Sequence, residues 1–425
     1  MESVGRSRVD AIAAAQNGQG RLDGSSAGPE GSSRAAFSAN RPQWILTGAI
    51  VLVAINLRPG IVSIGPILPA IQASFGLTHA TASLLTAIPD LLMGLLALPT
   101  PWLARRFGRS SVLLSALIIL LASTVIRGLA PNTITLLATT GGVGAGIAIS
   151  GSLFGGLIKE RFPTKSALLM GIYATALSLG GAVAAASTGV LANVLPGGWR
   201  TAAGIWGLLS IVGIIGWRMV GSSDVNGGTQ PVVSPKPGLP FTNFTAWMIA
   251  LFFACVNFLF YALVSWIAPM YQELGLSTKK AGFVLASFMI VFTCANPVIG
   301  WLSKGHDRRG WLLVCGALVV GGLAGIALAP NVMPVLWVGL IALGLGGAFT
   351  LGMTLPLDNT NSAEEANSWT AFAMLVAYLI AAAGPLGVGI LRDLTGGFGI
   401  PMLGLLIFGF AMMAFAPFLK PGMKG

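Results

Sequence analysis

Twelve apolar stretches, each close to or longer than 20 residues, follow one another along this chain with short polar gaps between them. A hydrocarbon core of roughly 30 Å takes about 20 helical residues to cross, and no water inside it can satisfy a bare backbone group. The sequence therefore predicts an all-α bundle of twelve membrane-spanning helices. The expected spans are 43–75, 80–104, 110–129, 133–158, 165–194 and 201–219, then 244–273, 280–303, 310–329, 333–357, 367–394 and 400–419. Only 9% of residues are charged, where a soluble domain has about a quarter.

The spans fall into two sets of six, which implies an N-terminal domain over 43–220 and a C-terminal domain over 244–419. Between them, 221–243 is rich in Gly, Pro and Ser, the composition of a linker. Residues 1–42 contain no apolar run long enough for a signal peptide, and Glu2, Asp10, Asp23 and Glu30 argue against a transit peptide. They are expected to be a disordered cytoplasmic tail, with 420–425 a second, short one.

A net charge of +11 raises the question of nucleic acid, and the placement of the charge answers it. With the N-terminus inside, cytoplasmic segments collect 18 of the 24 Lys and Arg, external segments five, and Arg58 is left inside a span. That asymmetry is the positive-inside pattern and predicts both termini in the cytoplasm. No nucleic-acid partner is implied. Cys255, Cys294 and Cys315 sit in apolar runs without the spacing of a metal or disulfide framework.

The two sets are related to each other. "GLTHATASLLTA" from Gly76 aligns with "GLSTKKAGFVLA" from Gly275 at an offset of 199 residues, and the same offset carries Trp102 onto Trp301. "GVLANVLPGGW" from Gly189 echoes "GILRDLTGGF" from Gly389 with one residue deleted. Duplicated helical sets of this kind place a site between them, near the bilayer midplane.

Twelve spans in two repeats, with the basic loop "PWLARRFGRSSVL" after the second, resemble the major facilitator superfamily of secondary transporters. The resemblance implies a gating loop at Arg105, Arg106, Gly108 and Arg109, although Arg105 stands where the family usually has an acid. "NLRP" at Asn56–Pro59, "GPILP" at Gly65–Pro69, "FYALVSWIAP" at Phe260–Pro269 and "AAAGPLGVGILRDLTG" at Ala381–Gly396 resemble the cyanate and 2-nitroimidazole transporter group within it. That implies a small-molecule substrate, cyanate being the analogue, no cofactor, a monomer, and a bacterial inner membrane.

Arg58 lies near the middle of the first span, where an arginine costs roughly 2.5–3.5 kcal/mol on insertion scales. It should face a polar cavity or a partner, and its fixed fork of donors suits a small planar anion. Pro59, Pro66 and Pro69 follow, and either expose carbonyls to that cavity or merely kink the helix. Asp90 is the only other central charge. It pairs with Arg58, carries a proton for electroneutral import, or tunes the pocket; group members usually have an apolar residue there.

The repeat carries Arg58 onto Asn257, with Tyr261 one turn on. Asn56, Asn257, Tyr261, Tyr378 and Tyr173 are candidate substrate contacts, able to hydrogen-bond a monovalent anion without adding charge. Ser150 and Ser152 are further cavity candidates, while Gly142, Gly146, Gly151 and Gly155 suggest close helix packing. An enzyme would need clustered His, Cys and acids, and the two histidines, His79 and His306, fall in loops on opposite sides. The sequence thus predicts an alternating-access carrier of a small monovalent anion, with or without proton coupling. The alternative is an exporter of small nitroaromatic or heterocyclic compounds.

Overall fold

A computed structural model describes residues 43–162, 166–220, 238–303, 307–360 and 363–420. The expected tail over 1–42 and most of the linker lie outside the described residues. Among the described residues there is no strand, and twelve helices are long and apolar enough to cross a membrane. The first set comprises α1 (Gln43–Leu57), α2 (Pro59–Val62), α3 (Ile64–Phe75), α4 (His79–Ala97), α5 (Thr100–Phe107), α6 (Arg109–Gly128), α7 (Thr133–Arg161), α8 (Ser166–Val194), α9 (Trp199–Gly204) and α10 (Leu208–Val220). The second comprises α11 (Phe244–Glu273), α12 (Thr278–Leu302), α13 (Arg309–Leu328), α14 (Pro334–Asp358), α15 (Ala363–Ala381), α16 (Ala383–Thr395) and α17 (Gly399–Phe415).

The repeat is visible in how helices begin and end. Thr78 caps α4 by accepting the Thr81 N–H, and its counterpart Ser277 caps α12 by accepting from Lys280. The turns before them use Gly76 at φ +63° and Gly275 at φ +93°, a region glycine enters without strain. Gly108, at φ +83°, makes the sharp corner between α5 and α6.

The first span is broken into α1, α2 and α3 because Pro59 and Pro66 cannot donate to the helical ladder. Arg58 and Ser63, at the two breaks, keep right-handed helical angles, so the chain is kinked and not unwound. Of the two readings of these prolines, the kink is the one realised. The eleventh span breaks between α15 and α16, just ahead of Pro385.

Glycines let helices approach closely, as the spacing on α7 implied. Gly146 lies against the Ala116 carbonyl and Leu120 of α6, and Gly144 against Pro89 of α4, with no room for a β-carbon at either. α11 is buried along most of its length and touches α12, α14, α15, α16, α17 and α3, so it forms the inner wall of the second set. Leucines and isoleucines such as Leu129, Ile134, Leu328 and Ile407 cover the outer surface, as a lipid-facing surface requires.

The two sets meet through α4 with α15 and α16, α8 with α12, and α3 with α11. Hydrogen bonds joining them run from His79 with Asp393, through Gln272 to the Pro66 carbonyl and Ser265 to Thr86, down to Tyr261 with Met93. These contacts run from the end of the bundle that carries His79 to beyond the middle of α4. The opposite end carries Arg105, Arg106, Arg308 and Arg309.

Candidate functional site

Arg58 occupies the first kink of the first span, and its side chain crosses to the second set. The guanidinium carbon lies 5.0 Å from the ring centre of Phe260 and 5.8 Å from that of Tyr261, both on α11. Its Nη1 is buried and has no hydrogen-bond partner. Tyr261, Tyr378, Asp90 and Tyr173 lie near enough to interact with it electrostatically. Three of the chain's four tyrosines therefore converge on one arginine, from α11, α15 and α8.

Asp90 projects from α4 just after Pro89 and is fully buried. Neither of its carboxyl oxygens has a hydrogen-bond partner, so the expected alternative of a hydrogen-bonded Arg58–Asp90 pair is not formed in this conformation. The two charges share a neighbourhood without touching. The repeat counterpart of Asp90 is Met289, itself buried and close to Gly181 and hence to Arg58. Both charges of the central region thus come from the first set, and their counterparts Asn257 and Met289 are neutral.

The other expected contacts divide. Tyr261 is buried, its ring centre 6.2 Å from that of Tyr378. Tyr173 leans on Phe154, ring centres 5.6 Å apart, beside Gly151. Asn257 spends its amide on the Phe253 carbonyl one turn back, at 2.8 Å, and it is Phe260 that faces Arg58. Asn56 points away from the arginine, exchanging hydrogen bonds with Ser210 of α10 at 2.9 and 3.2 Å. It fastens the first span to the sixth. The Ser150 hydroxyl is buried without a partner, and Ser152 returns its hydroxyl to the Ala148 carbonyl.

Phe260 escaped the sequence reading. It heads an aromatic wall in the second set: Phe292 lies 4.8 Å from it and Phe349 lies 5.8 Å beyond, with Phe253 against Phe349 at 5.3 Å. The signal available was the aromatic density of "NFLFYALVSW", in which Phe260 and Tyr261 are adjacent.

A second arginine is buried close to the first. Arg127, at the end of α6, is fully buried, and its Nη1 donates to the Gly60 carbonyl at 2.8 Å, two residues beyond Arg58. Its Nε and Nη2 have no partner.

At the opposite end, Arg106 lies over the rings of Trp102 and Phe107, each 5.6 Å away, while Arg105 is exposed and Arg109 opens α6. In the second set the counterpart of Arg109 is Arg308, which donates to Asp358 of α14 at 2.6 Å and to the Ser303 carbonyl. Beside it, hydrogen bonds from Arg309 hold the Asp307 carboxyl down at about 2.

Residues 46–385 match the Major Facilitator Superfamily. The chain is 30% identical over 385 residues to the cyanate transport protein CynX of Escherichia coli (strain K12), covering 88% of this chain and 97% of that one. It is 28% identical over 375 residues to the 2-nitroimidazole transporter of the same organism, covering 87% and 94%. Among solved structures, a bacterial homologue of the human lysosomal transporter Spinster, in an inward-facing and occupied conformation, aligns with a TM-score of 0.79. Identity to it is 19%, over 91% of this chain and the whole of that one, so the likeness is one of fold.

Proposed function

Since the chain belongs to the major facilitator superfamily, we propose that it moves a small monovalent anion across the bacterial inner membrane by alternating access, with Arg58 as the anion's ligand. One observation carries this reading: a buried guanidinium nitrogen, midway along a span, is left without a protein partner while its ring-facing surface is occupied by Phe260 and Tyr261. A permanently charged fork in that position is costly unless something satisfies it, and a planar anion matches its geometry. Tyr173, Tyr261 and Tyr378 supply hydroxyls around it. Asn257, one turn from Tyr261, keeps its carbonyl oxygen for a neighbouring donor.

Import of an anion into a cell that is negative inside costs about 2.3 kcal/mol per 100 mV. A proton travelling with it cancels that cost, and Asp90, close to Arg58 yet not bonded to it, is the group proposed to carry it. The positive-inside charge distribution supports cytoplasmic termini, and with that orientation the His79 end is outside and the contacts there are an external closure. The protein is taken to work as a monomer. The corner at Gly108, with Arg105, Arg106 and Arg109, is the proposed gating loop on the cytoplasmic side.

The aromatic wall of Phe260, Phe292 and Phe349 favours a second reading, in which a nitroheterocycle stacks on these rings and is exported. Thermal stabilisation of the purified protein by cyanate, other small anions and 2-nitroimidazole compares the two. Uptake into liposomes by Arg58→Gln decides between them: full anion transport by a well-expressed Arg58→Gln protein refutes the first reading.

A further inference from the structure

The external closure is made by two contacts that the internal repeat relates to each other. In each, a glycine meets the first backbone carbonyl of a helix in the other set: Gly389 of α16 lies against His79 of α4, and Gly189 of α8 against Thr278 of α12. Thr278 is the counterpart of His79 at the 199-residue offset, and Gly189 that of Gly389 after the one-residue deletion. The backbone packing is the same on both sides, and the side chains around it are not.

At the His79 contact the side chains form a closed circuit. Asp393 Oδ1 accepts the His79 backbone N–H at 3.0 Å and lies 2.7 Å from Nδ1 of the ring, while Oδ2 accepts the Ala80 N–H at 2.8 Å. The carboxylate thereby caps the start of a helix belonging to the other set. The second ring nitrogen, Nε2, is 3.2 Å from Glu273 Oε1, and Glu273 Oε2 accepts from Arg392 at 2.9 and 3.1 Å. At the equivalent contact the positions of His79, Asp393, Glu273 and Arg392 are held by Thr278, Asn193, Ser74 and Ala192. None of these four is charged. Since the fold closes there without an ion pair, packing does not require the charged circuit.

Both ring nitrogens of His79 face carboxylate oxygens, and that arrangement counts protons. A neutral imidazole has one N–H and one lone pair, so one of the two contacts would set a lone pair against an oxygen. An imidazolium donates to both. The charges agree: Asp393, Glu273 and Arg392 sum to one negative charge, and a proton on the ring cancels it. We infer that His79 is a proton-binding site created by external closure: the closed state holds an imidazolium bridging Asp393 and Glu273, and opening releases its proton to the solution outside.

The helices facing His79 contribute Asp393 and Arg392 from α16 and Glu273 from α11; α3 and the start of α7 contribute none. Among the described residues, the other titratable group on these helices near the circuit is Tyr271 of α11, whose buried hydroxyl has no hydrogen-bond partner and stays protonated. Lys279 and Lys280 belong to the other contact, beside Thr278. The rings of Trp266 and Phe398 flank the imidazole at 5.6 and 6.2 Å, and the Trp266 N–H is engaged by the Pro385 carbonyl. External solution reaches the site, because the side chains of His79, Asp393 and Glu273 are 21%, 28% and 35% exposed.

This inference rests on alternating access and on the proposed orientation, and it holds whatever Arg58 binds. The proton is taken from and returned to the same side, so it sets the balance of the cycle and does not cross with the substrate. The closed state is the one that binds it, so acid outside favours closure and alkali favours opening. One linked proton changes the closed-to-open ratio by up to about tenfold per pH unit.

The test places spin labels at Leu129→Cys and Leu394→Cys, exposed positions of the two sets at the external end, in a chain whose three native cysteines are replaced by alanine. Distances are measured in lipid nanodiscs from about pH 5.5 to pH 8.5. The short-distance population is expected to dominate in acid and to lose at least tenfold in ratio across this range, and His79→Gln is expected to flatten the curve. A pH-independent distribution in the parent chain, or an unchanged curve in His79→Gln, overturns the proposal. Should His79→Gln fail to fold, nitrogen resonances of the imidazole in a His306→Gln chain give the same answer: protonation must track the short-distance population, and a neutral ring in the closed state rules the proposal out. If the pH dependence holds while Arg58→Gln still transports the anion, the substrate reading alone fails.

Discussion

Arg127 Nη1 donates to the Gly60 carbonyl at 2.8 Å, which fixes a fully buried arginine against the kink that aims Arg58. The carbonyl belongs to α2, the four-residue segment between the two breaks of the first span. Without Arg127 that segment would keep its apolar packing against α8 and α4 but lose the side-chain hydrogen bond that pins a ladder interrupted by prolines.

Arg127→Met is therefore expected to separate stability from transport. A hydrogen bond from a charged donor contributes about 1.5–3 kcal/mol, and its loss is offset by removing a buried guanidinium with two unpartnered donors. The thermal midpoint of the purified protein should move by only a few degrees, since about 1 kcal/mol shifts a large domain by roughly 2–4 °C. KM for the transported anion should rise roughly tenfold, the equivalent of about 1.4 kcal/mol, and Arg127→Lys should restore part of it. Equal loss of stability and of kcat with an unchanged KM would mean that Arg127 serves packing alone.

Asp90 makes a different prediction. With no hydrogen bond to Arg58 to break, Asp90→Asn should leave anion-induced thermal stabilisation within about threefold in apparent Kd, a change of under 1 kcal/mol. Substrate-driven acidification of liposomes should nonetheless disappear, and counterflow, which needs no net driving ion, should survive. Unchanged acidification would remove Asp90 from coupling.

Gly389 and Gly189 are predicted to act on the conformational balance. A β-carbon at Gly389 would lie 2.6 Å from the His79 carbonyl oxygen, and one at Gly189 would lie 3.0 Å from that of Thr278. Overpacking of this kind costs roughly 1–3 kcal/mol, and only while the His79 end is closed. Either alanine variant should expose that end to membrane-impermeant thiol reagents at an introduced cysteine. Gly387→Ala, where a β-carbon meets open space, should not.

Much of this architecture was legible because bilayer thickness turns composition into topology. Span number, the turns at Gly76 and Gly275 and the pairing of Gly189 with Gly389 all follow from apolar run length and the 199-residue repeat. What the sequence hid was side-chain direction. Asn56 and Arg58 are two residues apart on one helix, so they point to different faces: one reaches Ser210 and the other Phe260. The same rule defeated Asn257, because the residue facing Arg58 lies almost a turn further along α11. His79 falls one residue before the expected span 80–104 and Arg127 two residues inside the end of span 110–129, and the partners of both became legible only once the first span's kink and the second set's carboxylates were in position. A boundary error of two or three residues changes such a side chain from solvated to buried.

Phe260 supplies the last prediction, because it separates the two substrates the relatives suggest. Its ring lies under the guanidinium and continues into Phe292 and Phe349, so a stacked heterocycle would use the wall while a bare triatomic anion would use the arginine's edge. Cation–π and stacking contacts contribute about 0.5–2 kcal/mol, or roughly two- to thirtyfold in affinity. Phe260→Leu keeps the volume apolar and removes the π face. Competition by 2-nitroimidazole should then weaken at least tenfold if the wall binds substrate, whereas cyanate uptake should change by less than about threefold if Arg58 alone does. Tyr261→Phe is the matching control, since it keeps the ring and removes the hydroxyl: it should impair the anion and spare the heterocycle. Direct competition assays on the same proteoliposomes read both substrates, and a Phe260→Leu protein that loses cyanate uptake but keeps nitroimidazole competition would contradict this division of the site.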